Sequence, residues 1–164
     1  MTGKTYSVID TLSNISQDKI VITNVLSYYN SHKDTSIYES DFGNIYAMLK
    51  NLDNCENYII FYDELFTLIE KGKLTKDMLS FISQMRKRHL YLYTTVQEWL
   101  ELNVTFRRYV RFLVECKMKN LKLFNCAFSI NVIKDAYQMK WDNLENEYVC
   151  PVIKTGGKLT SSAK

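Results

Sequence analysis

Apolar positions along this chain switch between helical and strand periods. Val8, Ile9, Leu12 and Ile15 recur at helical spacing and predict a helix from Thr5 to about Ser16. Lys19 to Leu26 is short and β-branched, which predicts a strand. Residues 27–40 are rich in Tyr, Asn, Ser and Asp and read as a loop. Asp41 can cap a helix running through Ile45, Met48, Leu49 and Leu52. Residues 58–63 form a continuous apolar run ending in acids, a pattern that fits a strand buried on both faces of a parallel sheet.

The clearest helix spans Thr75 to Arg88, with Thr75 as its cap and Met78, Leu79, Ile82 and Met85 as its apolar stripe. Leu90 to Val96 reads as a strand, and Gln97 to about Tyr109 as helical in pieces. Val110 to Lys117 and Leu121 to Ile133 read as two strands, with Lys119 and Asn120 as the hairpin turn between them. From Lys154 the chain is Gly, Ser, Thr and Lys, which reads as a flexible tail over 154–164. Strands near 19–26, 58–63, 90–96 and 110–117, separated by helices, imply one α/β sheet. It is expected to be parallel at its centre, with an antiparallel C-terminal hairpin at one edge. In such sheets a site lies at the carboxyl ends of the strands.

Length and composition narrow this picture. At 164 residues the chain suits one domain, read here as 1–153. Hydrophobic residues at 46% and charged residues at 24% exclude a disordered chain. A net charge of +3 is too small to argue for nucleic acid by itself. Cys55, Cys116, Cys126 and Cys150 form no Cys-x-x-Cys pair, and His32 and His89 are not at ligand spacing from them, so no zinc site is expected. The polar start argues against a signal peptide, and no apolar run reaches the ~18–20 residues of a membrane span. The expectation is a reduced protein of the cytoplasm, without membrane attachment.

Candidate chemistry begins at Gly3-Lys4-Thr5, which opens directly into the first helix. This is the second half of the phosphate-binding pattern G-x-x-x-x-G-K-[ST]. Backbone amides and a helix N-terminus hold phosphate oxygens there, the lysine reaches the β and γ phosphates, and the hydroxyl holds Mg²⁺. Alone, the tripeptide equally fits an ordinary chain start. Asp63-Glu64 follows the apolar run at 58–62; alone, it also fits a solvated acidic loop. Thr95 and Gln97 lie at the tip of the next predicted strand, with Gln97 the better candidate to touch a γ-phosphate or a water; it also fits the start of a helix. Arg107 and Arg108 precede a strand, where an arginine could reach a neighbouring subunit's site or simply end a helix. Arg86-Lys87-Arg88-His89 suits a helix C-terminus, or a face turned to DNA.

Taken together, Gly3-Lys4-Thr5, Asp63-Glu64, Arg88-His89, Thr95-Val96-Gln97 and Arg107-Arg108 resemble the phosphate-loop ATPases of the additional-strand, catalytic-glutamate class. Within that class the chain is similar to FtsK/HerA-type DNA-pumping ATPases. It looks nearest to the zonula-occludens-toxin-like assembly ATPases of filamentous phages, with viral genome-packaging ATPases beside them. The resemblance runs from Gly3 to about Val114. It implies a P-loop NTPase core of the RecA/FtsK kind, with ATP and Mg²⁺. Gly3, Lys4, Thr5 and Asp63 would bind them, with Thr5 and Asp63 on the metal. Glu64 would polarise the attacking water beside Gln97, and Arg107 or Arg108 would act in trans. It further implies self-association into a ring and contact with phage DNA through Arg86, Lys87 and Arg88. The expected function is an ATP-hydrolysing motor for phage DNA packaging, export or virion assembly. The alternative is a degenerate or fragmentary P-loop domain acting as a non-enzymatic interaction module. A full loop needs five residues ahead of Gly3 and a strand feeding it, and only Met1 and Thr2 stand there. The chain as written is expected to bind nucleotide poorly or not at all, and to be an ATPase once the loop is completed. A GTPase is disfavoured because no Asn-Lys-x-Asp occurs.

Overall fold

The structure, a computed structural model, describes residues 3–15, 18–100, 102–121 and 126–161. The chain divides into two compact units, Val8–Leu102 and Met1–Ser7 with Asn103–Lys164, where the sequence suggested one domain over 1–153.

The unit over 8–102 is built on a parallel sheet. Its strands are β1 (Ile20–Thr23), β2 (Ser36–Tyr38), β3 (Tyr58–Tyr62) and β4 (Tyr91–Thr94), in the order β2-β1-β3-β4. Every neighbouring pair is parallel, with Ile22 opposite Ile60 and Tyr62 opposite Thr94. Parallel strands need crossovers, and the crossovers cover the sheet. They contain α2 (Leu26–Ser31), α3 (Phe42–Leu49), α4 (Leu65–Glu70) and α5 (Lys76–Gln84), while α1 (Lys4–Asn14) precedes β1.

On one face Leu12 and Tyr28 pack with Val21, Ile59 and Phe61, and Val8, Ile9 and Ile15 of the first helix and its end join them. On the other face of the pleat Ile22 and Ile60 are fully buried, and Tyr62 meets Phe42 edge to face at 5.4 Å. Covering on both faces explains why residues 58–62 read as an unbroken apolar run.

Both predicted caps form. Asp41 Oδ1 accepts from the Gly43 amide at 2.8 Å, and Thr75 Oγ1 accepts from the Met78 amide at 3.3 Å. Two local expectations change. The expected loop at 27–40 contains α2 and β2. A six-residue helix anchored by Tyr28 and a three-residue strand are too short to show a period. The helix expected to reach Arg88 ends at Gln84, and the chain then turns tightly, with Arg88 N–H on the Met85 carbonyl and His89 at φ 56.

The second unit holds a three-stranded antiparallel sheet, β5 (Phe112–Leu121), β6 (Cys126–Asp135) and β9 (Val152–Ser161), in the order β5-β6-β9. A short hairpin joins β7 (Lys140–Asp142) to β8 (Glu147–Val149), and α6 (Val104–Arg107) precedes β5. The strand expected at 110–117 is therefore not in the parallel sheet; it pairs with β6 from Phe112 to Leu121. The hairpin is present, but Lys119 and Asn120 lie inside β5, opposite Phe128 and Ala127, and the turn falls on residues outside the described ones. Residues 154–161 of the expected tail are strand, bonded along β6. Backbone pairing needs no apolar pattern, so Gly, Thr and Lys concealed it. Among the described residues no helix is long and apolar enough to cross a membrane.

Candidate functional site

Because β1, β3 and β4 are parallel neighbours, the residues that follow them share one sheet edge. Those residues are Asn24, Asp63-Glu64 and Thr95 to Gln97. Side chains lock them together. Asn24 Oδ1 accepts from the Asp63 amide at 2.7 Å, and its Nδ2 donates to the Asp63 carbonyl at 3.1 Å. Thr95 is buried, and its hydroxyl donates to Asp63 Oδ1 at 2.6 Å while accepting from the Glu64 amide at 3.1 Å. Thr94 Oγ1 accepts from the Leu65 amide at 3.3 Å. The backbone of the acidic turn is thus fixed from both neighbouring strands.

Glu64 stands at φ 56, ψ 38, the left-handed region, immediately before α4. A non-glycine residue there carries roughly 1–2 kcal/mol of strain. Strain at a turn that presents a carboxylate is a feature of functional sites. The Glu64 side chain is exposed, and Asp63 is half-buried. Below them, the Tyr62 hydroxyl donates to the Ser40 carbonyl at 2.8 Å. Burial, and then the Asp41 carboxylate, push that phenol up, so Tyr62 stays a neutral donor. Gln97 is exposed in the bend after β4.

These groups are hard oxygen donors, a set that suits Mg²⁺. Among the described residues no cluster of three or more His, Cys, Asp or Glu could form a metal cage.

In the other unit, Gly3 adopts φ 75, a conformation that favours glycine, and its carbonyl accepts from the Ser7 amide at 2.8 Å. Lys4 and Thr5 form the first turn of α1, which holds no acid. A cation there opposes the helix dipole, so the turn favours an anion. Cys116 of β5 is beside it: burial raises its thiol, while the Ser7 hydrogen bond and the Lys4 charge pull it back.

Arg107 ends α6 and Arg108 caps it. Arg108 is exposed; Arg107 is half-buried, and its Nε is buried without a hydrogen-bond partner among the described residues. Arg88 is committed elsewhere: its guanidinium donates to the Lys50 and Leu52 carbonyls at 2.9 and 2.8 Å, closing the end of α3. Of the basic run only Arg86, Lys87 and His89 are exposed.

Asn24 escaped the sequence reading. The available signal was a polar residue directly after a β-branched strand, the same placement that singled out Asp63.

No family model matches this chain, and no curated protein matches it. In fold it is similar to the crystal structure of the N-terminal domain of zonular occludens toxin from Neisseria meningitidis. The TM-score is 0.52 over 94% of this chain and 89% of that one, at 12% sequence identity. At that identity the likeness speaks for fold: a helix-flanked parallel sheet with an antiparallel sheet, consistent with a P-loop NTPase fold.

Proposed function

We propose that this chain is the ATP-hydrolysing part of a motor for phage DNA packaging, export or virion assembly. The observation that carries the reading is the Asp63–Glu64 pair at the carboxyl end of β3, with one buried hydroxyl, Thr95 Oγ1, bonded to both residues. In this reading Lys4 contacts the β and γ phosphates and the first amides of α1 hold phosphate oxygens. Asp63 and Thr5 hold Mg²⁺, which when bound neutralises charge on the phosphates. Glu64 takes the proton of the water that attacks the γ-phosphorus, and Gln97 orients that water. The bond to the β–γ bridging oxygen breaks, and ADP leaves with its electron pair. Arg107 or Arg108 supplies positive charge to a neighbouring subunit's site.

The test is ATP binding and turnover, measured on the chain and on a form with the loop ahead of Gly3 completed. Glu64→Gln should retain binding and lose turnover by ~10²–10⁴-fold. Mixing it with an Arg107→Ala/Arg108→Ala subunit should restore part of the activity, because the second subunit borrows arginines from the first. Unchanged turnover in Glu64→Gln removes Glu64 from the mechanism. No ATP binding by the completed form leaves the chain as an interaction module.

A further inference from the structure

An open pocket of about 150 Å³ lies between α3 and α5. One water needs about 10–15 Å³, so the pocket has room for a small molecule. Its two ends differ in charge. Asp77 stands at one end, in the first turn of α5. Lys50, which ends α3, and Arg88 share the other end, because Arg88 Nη1 donates to the Lys50 carbonyl at 2.9 Å. Between the ends Gln84 Nε2 donates to the Ser80 hydroxyl at 3.4 Å. Asp77, Ser80 and Gln84 follow one face of α5, since residues three and four apart are neighbours on a helix.

The wall is polar rather than apolar. Phe81 is buried, Lys50 Nζ lies 5.7 Å from the Tyr46 ring centre, and the Arg88 guanidinium lies 5.3 Å from that of Phe81. Asp77 and Lys50 line the same pocket with opposite charges, yet neither belongs to an ion pair among the described residues. Arg88 commits Nη1 to two carbonyls, and its Nη2 and Nε make no hydrogen bond among the described residues. Opposite charges held apart across one cavity complement a molecule that carries both charges in the reverse order.

We propose that this pocket binds a small zwitterion, a short ω-amino acid, with its ammonium on Asp77 and its carboxylate on Lys50 and Arg88. The span sets the length. Asp77 and Gln84 stand about 10 Å apart along α5. A hydrogen bond of about 2.9 Å at each end leaves room for a short carbon chain between the two charges of the ligand. An anion alone is the weaker occupant, because Asp77 repels it, and a cation alone meets Lys50 and Arg88. None of these residues belongs to the proposed nucleotide site, so the test is independent of ATP hydrolysis.

Amide NMR of the chain titrated with γ-aminobutyrate tests the proposal, with butyrate, butylamine, glycine and inorganic phosphate as comparisons. The amides of residues 46–50, 77–84 and 88 should shift with a dissociation constant on the order of 1 mM. Butyrate and butylamine each carry one of the two charges and should bind about 10-fold more weakly. Glycine should also bind more weakly, because its charges are too close to reach both ends. Asp77→Asn should weaken γ-aminobutyrate about 10-fold and strengthen butyrate, whereas Lys50→Gln should weaken both and leave butylamine unchanged. Both positions are exposed. Thermal melts check folding, and a variant that melts early is replaced by Asp77→Ser or Lys50→Met with the same readout. No shift at about ten times the expected dissociation constant overturns the proposal. So does butyrate, butylamine or glycine binding as tightly as γ-aminobutyrate, or either variant binding γ-aminobutyrate as the wild type does. Phosphate binding more tightly than γ-aminobutyrate at the same amides assigns the pocket to anions and also overturns it.

Discussion

The two sheets treat the same residue types in opposite ways. In the parallel sheet Ile22, Ile60 and Phe61 are 0% exposed. In the antiparallel unit Phe112, Val114, Val152 and Ile153 stand between 42% and 56% exposed. The connections make the difference. A parallel pair needs a long crossover, and the crossover lays a helix on the sheet. Hairpin-linked strands bring no such cover. An apolar residue is thus a candidate for burial, and the link to the next strand decides whether it is buried. The consequence reaches function. The covered sheet holds Asp63 and Glu64 through Asn24 and Thr95, whereas the antiparallel unit leaves Phe112, Val114, Val152 and Ile153 exposed.

The sharpest way to break this comparison is to truncate one aromatic in each sheet. Phe61→Ala should lower unfolding free energy by about 3–5 kcal/mol in a denaturant titration. Phe112→Ala should cost less than about 1 kcal/mol, as exposed positions do. Equal losses would mean that Phe112 is packed as Phe61 is. Next in size is Thr95→Val, which keeps shape and removes the hydroxyl bonded to Asp63 and Glu64. It should cost about 1–3 kcal/mol, because the Glu64 amide loses its acceptor. A neutral Thr95→Val in the same titration would show that the acidic turn holds itself.

Arg88→Met comes third. It removes the guanidinium over Phe81 together with the donors to the Lys50 and Leu52 carbonyls. Those bonds are exposed to water, so about 1 kcal/mol is expected. The smallest effect has the opposite sign. Glu64→Gly relieves the left-handed strain at φ 56 and should raise stability by up to about 1 kcal/mol while removing the carboxylate. A gain in melting temperature with loss of turnover would place the strain in service of the site; a loss of stability would contradict the strain.

Legibility in the sequence followed the same division. The run at 58–62 showed β3 because both its faces are covered. Asp41 and Thr75 showed two helix starts because a cap is local chemistry. Asp63 and Glu64 were visible because acids end an apolar strand. β2 and α2 were not, since three and six residues hold no period. β9 was hidden because Lys154 to Ser161 pairs through its backbone, which leaves no mark on side-chain pattern. The placement of β5 was misread because an apolar strand does not declare its partner, and β6 claims all ten of its residues. Asn24 was passed over because its work is done on the backbone of Asp63, thirty-nine residues away.

The proposed function stands or falls on whether a nucleotide's metal–phosphate end meets Asp63 and Glu64, and whether Lys4 and Thr5 meet it as well. Amide NMR of the loop-completed chain with ATP and Mn²⁺ in place of Mg²⁺ tests it most directly, because the paramagnetic ion broadens nearby amides. The account predicts ATP-dependent broadening of residues 3–7, Asn24, Asp63 to Leu65 and Thr94 to Gln97 as one set. ATP-dependent broadening that leaves Asp63 and Glu64 sharp, or that falls on residues outside this set, would contradict it.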